Sequence, residues 1–191
     1  MKTKQIVLFA SGSGSNVENI IRYFQDKPNV TIAMVLTNKR DAKVLERCNR
    51  LNISALYFNK TSFKETECVL DILKCAKPDL IVLAGFLWKV PENIIKAFPN
   101  QIINIHPALL PKYGGKGMYG DNVHKAVKEN KDSVSGITIH YVNEHYDEGA
   151  IIQQVETKIL PNDTPDDIAA KVHALEYEYF PKVIEQLLMA Q

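Results

Sequence analysis

The sequence predicts an α/β protein: a single domain over residues 1–191, built on a doubly wound, mostly parallel sheet with a C-terminal antiparallel element. Three observations predict it. Short continuous apolar runs alternate with segments whose apolar residues recur every three to four positions from residue 5 to residue 105. Two strand-like runs, 136–142 and 151–159, then follow each other with no helical period between them. Composition is that of an ordinary globular chain, with 46% hydrophobic and 24% charged residues among 191. A chain of this length buries about 70% of its unfolded surface and needs no disulfide or structural metal to fold.

Residues 5–10 (QIVLFA) form a continuous apolar run and read as a strand buried on both faces. Val17, Ile20, Ile21 and Phe24 then repeat at helical spacing. Residues 31–36 give the next strand, 42–51 a helix, 54–58 a short strand and 63–76 one helix with Val69, Ile72, Leu73 and Ala76 inward. Residues 79–85 read as a strand, 91–97 as a short helix and 102–105 as a strand. The Gly- and Pro-dense stretch 107–120 has no period and reads as a long loop, which in a compact domain points to function. A helix over 123–130 precedes the two late strands. Thr164-Pro165-Asp166-Asp167 opens the last helix with a capping hydroxyl, a proline at the first helical position and acids near the positive end. Pro181 is expected to kink or split that helix near Tyr177.

Charge excludes some classes of partner. Lys+Arg 23 against Asp+Glu 22 leaves +1, without the basic excess that a nucleic-acid or anionic-membrane protein uses. No segment reads as a signal or membrane span, and Cys48, Cys68 and Cys75 have neither disulfide nor zinc spacing, so they read as small core residues of a cytoplasmic protein. His124, His140, His145 and His173 fit no metal motif.

Ser11-Gly12-Ser13-Gly14-Ser15-Asn16 stands between the first strand and the first helix, where free N–H groups and the helix dipole favour a phosphate. A dinucleotide fingerprint needs Gly where Val17 stands and an acid after the second strand, which ends Leu36-Thr37-Asn38-Lys39. NAD is therefore not expected, and no Walker A pattern is present. A terminal monophosphate suits the loop better, and an ordinary tight turn is the plain alternative.

Asn104-Ile105-His106-Pro107 puts an amide and an imidazole on one side of a strand that Pro107 ends. In an open parallel sheet ligands bind at the carboxyl ends of strands. An amide can meet a developing oxyanion and an imidazole can move a proton near neutral pH, so the pair suits acyl transfer. An isolated Asn-x-His also reads as a buried histidine capping backbone groups. Asp147 is a carboxylate that could orient His106, but by spacing Asp79, Asp121, Glu144 and Glu148 serve equally.

Taken together, Gly14-Ser15-Asn16, Leu83-Ala84-Gly85-Phe86, the run from Asn104-Ile105-His106-Pro107 through Leu109-Leu110-Pro111-Lys112-Tyr113, and Asp147-Glu148-Gly149 closely resemble the phosphoribosylglycinamide formyltransferase family. The resemblance covers nearly the whole chain. It implies a Rossmann-like formyltransferase fold and transfer of a formyl group from 10-formyltetrahydrofolate, the co-substrate, to the amine of glycinamide ribonucleotide. That is a one-carbon step of purine (IMP) biosynthesis with no metal and no NAD. It implies Asn104, His106 and Asp147 as catalytic residues, Gly14, Ser15 and Asn16 at the substrate phosphate, and Glu176 at its ribose. It implies folate contacts from Leu87, Trp88, Lys89 and Val90, from Asn104, from the loop Asn143, Glu144, His145 and Tyr146, and from Lys64. Lys112, Lys116 and Lys125 could draw the folate polyglutamate tail or simply be solvated. Glu148 stands where the family has Gly, and the 114–121 segment is longer than in many relatives. Transfer to another amine and hydrolysis of 10-formyltetrahydrofolate are the alternatives. Relatives that do these carry further domains, which are not read in this sequence.

Overall fold

The computed structural model describes residues 3–190, so residues 1, 2 and 191 of the expected domain lie outside the described residues. It falls into two compact units, one up to Ile103 together with the residues from Glu185 on, the other Asn104–Ile184.

The first unit alternates strand and helix as the apolar runs predict: β1 (Lys4–Ala10), α1 (Ser15–Phe24), β2 (Val30–Thr37), α2 (Lys43–Arg50), β3 (Ala55–Tyr57), α3 (Lys60–Lys64), α4 (Cys68–Ala76), β4 (Leu80–Leu83), α5 (Glu92–Ala97) and the start of β5 (Ile102–His106). Its strands lie in the order β3-β2-β1-β4-β5, and β1 pairs in parallel with β2 and β4. Central β1 carries Ile6, Val7 and Leu8 with no exposed surface, as a strand covered on both faces requires. On α1 the stripe Val17, Ile20, Ile21 and Phe24 is buried.

The single helix expected over residues 63–76 is two helices. The Asn59 carboxamide accepts the Ser62 N–H and starts α3 early, and the Thr66 hydroxyl accepts the Cys68 N–H and starts α4 afresh. On α4 the buried positions are Val69, Leu70 and Leu73, while Ile72 and Ala76 are half-buried. Cys68 and Cys75, two turns apart, share a different face and are exposed, so only Cys48 is a core cysteine.

The second unit holds the end of β5, then α6 (Asp121–Glu129), β6 (Val134–Tyr141), β7 (Ile151–Lys158) and α7 (Pro165–Met189) up to Ile184. Its strand order is β5-β6-β7, with β6 and β7 antiparallel, as the two consecutive strand-like runs predict. The core here is built from Val123, Val127, Ile137, Ile139, Ile168, Val172 and Phe180. Thr164 and Asp167 form a reciprocal cap for α7: Asp167 N–H donates to the Thr164 hydroxyl at 3.2 Å and Thr164 N–H to the Asp167 carboxylate at 2.8 Å. Of the expected kink or split, the split is not formed, and α7 runs on through Pro181. Buried Val172, Phe180, Val183 and Ile184 flank that proline, and their packing outweighs its cost of about 3 kcal/mol. Among the described residues no helix is long and apolar enough to cross a membrane.

Candidate active site

In the first unit the glycine loop turns its carbonyl groups toward α2. Gly12 O accepts the Val44 N–H at 3.2 Å and Ser13 O accepts Arg47 Nε at 2.7 Å. Gly14 sits at φ 72°, and a Cβ there would lie 2.4 Å from Val44 Cγ2, so only glycine lets α1 begin this close to α2. Ser15 and the buried Asn16 stand in the first turn of α1, at the positive end of the helix dipole. Behind them Glu18 gathers Arg22, Arg47 and Arg50.

The expected folate segment lies beside this loop in the same unit, since Ser11 Oγ accepts the Leu87 N–H at 2.9 Å. Trp88 joins a cluster of rings with Phe58, Phe63 and Phe86, at centroid distances of 6.1, 6.0 and 6.5 Å. Val90 is buried, whereas Leu87, Lys89 and Lys64 are exposed. Lys64 follows Phe63 on α3, so it sits next to that aromatic cluster in the chain.

In the second unit the structure brings four polar side chains together. Asn104 Nδ2 lies 3.2 Å from His140 Nε2, His140 Nε2 lies 3.7 Å from Asp147 Oδ1, and His106 Nδ1 lies 3.6 Å from Asp147 Oδ2. Both histidines are held by main chain. His106 Nε2 is 2.7 Å from Tyr113 O and His140 Nδ1 is 2.8 Å from Tyr141 O. A carbonyl only accepts, so each of those nitrogens carries a proton and donates it. In a neutral His140 the other nitrogen is then an acceptor, as the Asn104 amide requires. Asp147, at φ 56°, also accepts the Gly115 N–H at 2.9 Å. Glu148 points its charge into solvent, and the restrictive position is Gly149, where a Cβ would lie 1.7 Å from Tyr141 O.

A family model described as formyl transferase matches residues 4–184. The chain belongs to the formyl transferase family. It is 38% identical over 189 residues to a chloroplastic phosphoribosylglycinamide formyltransferase of Arabidopsis thaliana, an alignment that takes in 96% of this chain and 65% of that protein. The chain thus spans just under two thirds of that plant relative. Against the phosphoribosylglycinamide formyltransferase of Bacillus subtilis it is 35% identical, with 97% of this chain and 95% of the other covered. The crystal structure of the protein of that name from Anaplasma phagocytophilum matches with a TM-score of 0.90 at 28% identity, covering 99% of this chain and 88% of that one.

The electrostatics of the cluster follow from its burial. Desolvation dominates at His106 and pushes it below the usual histidine range despite Asp147 and the Tyr113 carbonyl, so the ring is neutral at pH 7. Burial works to raise Asp147. The histidine rings of His140 and His106, 3.7 and 3.6 Å away, and the Gly115 N–H together outweigh it and hold the carboxyl below its ordinary value. His124 is buried beside the His173 ring, and desolvation and that neighbour push it down. His173 is raised by its 2.8 Å hydrogen bond to Glu176.

From the direction of those shifts, stability is expected to fall in acid. A histidine whose folded pKa is lowered contributes stability above its unfolded value near 6.5, and loses it as pH falls through the folded value. His106 and His124 both have this sign. His173 has the opposite one, stabilising below 6.5, but its side chain is 50% exposed, so its contribution is the smaller. Each extra proton taken up on unfolding tilts stability by about 1.4 kcal/mol per pH unit. The melting temperature is expected to fall from pH 7 to pH 5, and less steeply in His124→Gln. Equal slopes in the two proteins, read by circular dichroism, contradict the assignment.

The remaining expected residues are placed as follows. Glu176 is buried and bonded to His173, which stacks on Tyr177. Asn143 Oδ1 accepts the His145 N–H, and Glu144, His145 and Tyr146 are exposed. Lys112 is taken up by Asp132, while Lys116 and Lys125 are exposed. Sequence reasoning missed His140, Tyr113 and Gly115. His140 had a readable signal, because alternation puts it on the same face of β6 as Thr138. The Thr138 hydroxyl donates to Ala108 O and accepts the Leu110 N–H, which ties that face to the segment following His106.

Proposed function

We propose that this chain transfers the formyl group of 10-formyltetrahydrofolate to the amine of phosphoribosylglycinamide, and that its two units act as one domain. The observation that carries the reading is the joining of Asn104, His106, His140 and Asp147 within one unit of a formyl transferase family member. A match of the family model across both units supports the single domain.

The amine attacks the formyl carbon and forms a tetrahedral oxyanion. His106 Nε2 is engaged by Tyr113 O, so donation to the oxyanion falls to the second N–H of Asn104. Neutral His106 acts through Nδ1, taking the proton that the attacking nitrogen releases and returning it to N10 of the folate as the C–N10 bond breaks. The Asp147 carboxylate, ionised and 3.6 Å away, stabilises the imidazolium in between. His140 fixes the Asn104 amide. Gly14, Ser15 and Asn16 take the substrate phosphate and Glu176 its ribose hydroxyls, and holding both substrates removes much of the entropic barrier. Leu87, Trp88, Lys89, Val90, Lys64 and the loop 143–146 contact the folate.

The test is incubation with 10-formyltetrahydrofolate in the presence and absence of phosphoribosylglycinamide, following release of tetrahydrofolate. Release only with the amine present is the expected result. Release without it identifies a hydrolase, and no release in either case refutes the reading.

A further inference from the structure

We propose that the turn from Tyr113 to Gly115 is a positioning device for the His106–Asp147 pair, latched in place by Asn130 and Asp132. One three-residue turn supplies both anchors. Its first carbonyl takes the His106 Nε2 proton at 2.7 Å, and its last N–H donates to Asp147 Oδ2 at 2.9 Å. The two contacts fix the spacing of the ring and the carboxylate, and the first also fixes the tautomer: with the proton on Nε2, the lone pair of the neutral ring lies on Nδ1, facing Asp147.

The turn does not hold this shape by backbone preference. Tyr113 sits at φ 58°, a left-handed conformation that a tyrosine adopts only under outside constraint. Side-chain hydrogen bonds supply that constraint. The phenol donates to Asp132 Oδ2 at 2.7 Å and accepts from Asn130 Nδ2 at 2.8 Å, and Lys112 Nζ reaches both Asp132 oxygens at 2.7 Å. Asn130 ends α6 and Asp132 precedes β6, so the latch ties the turn to regular structure. A cavity of about 250 Å³ bordered by Leu109, Tyr113, Asp132 and Ser135 adjoins the latch, so close packing does not enclose the phenol and its hydrogen bonds carry the constraint.

The inference rests on the formyl-transfer reading for its kinetic readout alone. The experiment is ¹⁵N-histidine NMR together with steady-state kinetics on the full chain, on Tyr113→Phe and on Asp132→Asn. In the unaltered protein His106 is expected to be neutral with its proton on Nε2. Tyr113→Phe is expected to mix the tautomers and lower kcat about 10–100-fold, with KM for both substrates within about twofold, because the reacting groups are displaced and binding is not. Asp132→Asn keeps an acceptor oxygen for the phenol and is expected to retain most of the unaltered protein's kcat. A His106 proton on Nδ1 in the unaltered protein overturns the proposal. So does a Tyr113→Phe protein with unchanged kcat and tautomer, or one whose loss is all in KM. If Tyr113→Phe does not fold, Asp132→Ala is read in the same way. A chain that transfers no formyl group refutes the proposed function, while the tautomer measurement still decides this one.

Discussion

His106→Ala is expected to lower formyl transfer by about 10²–10⁴-fold, the range for removal of a proton-transferring side chain. The ring is 4% exposed and sits between Tyr113 O and Asp147. Truncation leaves the Tyr113 carbonyl without its His106 donor, while the Gly115 N–H stays on the Asp147 carboxylate. The structural cost is therefore that of one buried acceptor left unpaired, about 1–3 kcal/mol, within the margin of a typical folded domain. The two readouts separate the roles. Far-ultraviolet circular dichroism is expected to be unchanged and the melting temperature modestly lower, while turnover collapses. Near-normal turnover in a folded His106→Ala protein removes this side chain from the chemistry.

Gly149→Ala is expected to damage stability and activity together. The new methyl group would lie 1.7 Å from Tyr141 O and 2.7 Å from Tyr141 C, so main chain must move to admit it. Tyr141 cannot yield freely, because its N–H donates to Ala150 O at 2.9 Å and its carbonyl accepts His140 Nδ1 at 2.8 Å. Overpacking of this kind costs about 1–3 kcal/mol, and a main-chain obstacle puts the substitution at the upper end. The displaced carbonyl is the one that orients His140, so the Asn104 amide loses its alignment as well. Gly114→Ala is the informative comparison: its new methyl meets Leu110 Cδ2 at 2.7 Å, a side-chain terminus that can rotate away. Thermal melts and turnover of both variants check the ranking, and equal melting temperatures would contradict it.

Most of the fold was legible because the first unit is a succession of apolar runs too short for helices and too continuous for exposed strands. Residues 5–10, 31–36 and 102–105 became β1, β2 and β5 almost residue for residue. The pattern failed where a polar side chain overrode a continuous apolar period. Thr66 broke the 63–76 helix through one hydroxyl contact, and a period count does not register a hydroxyl. At Pro181 the helix was not split, because buried neighbours outweighed the missing N–H. At the candidate site Asn104 and His106 were visible as alternate residues of a strand end. Asp147 could not be chosen among five acids by spacing, and only the resemblance singled it out. Tyr113 and Gly115 contribute through a carbonyl and an N–H, groups that every residue has, so no side-chain pattern could mark them.

The way Gly12 and Ser13 spend their carbonyl oxygens on α2 has a consequence for how an anion would be judged at this loop. With the electron-rich ends of those peptide units bonded away, the amide ends give the turn its polarity, and amide dipoles do not titrate across the physiological range. Such a cradle discriminates by the outline of its guest more than by local charge density, since its main-chain donors point in fixed directions. Its grip would also be less exposed to dissolved ions than that of a lysine cluster, because the short-range geometry of main-chain donors is screened less than attraction between solvated charges.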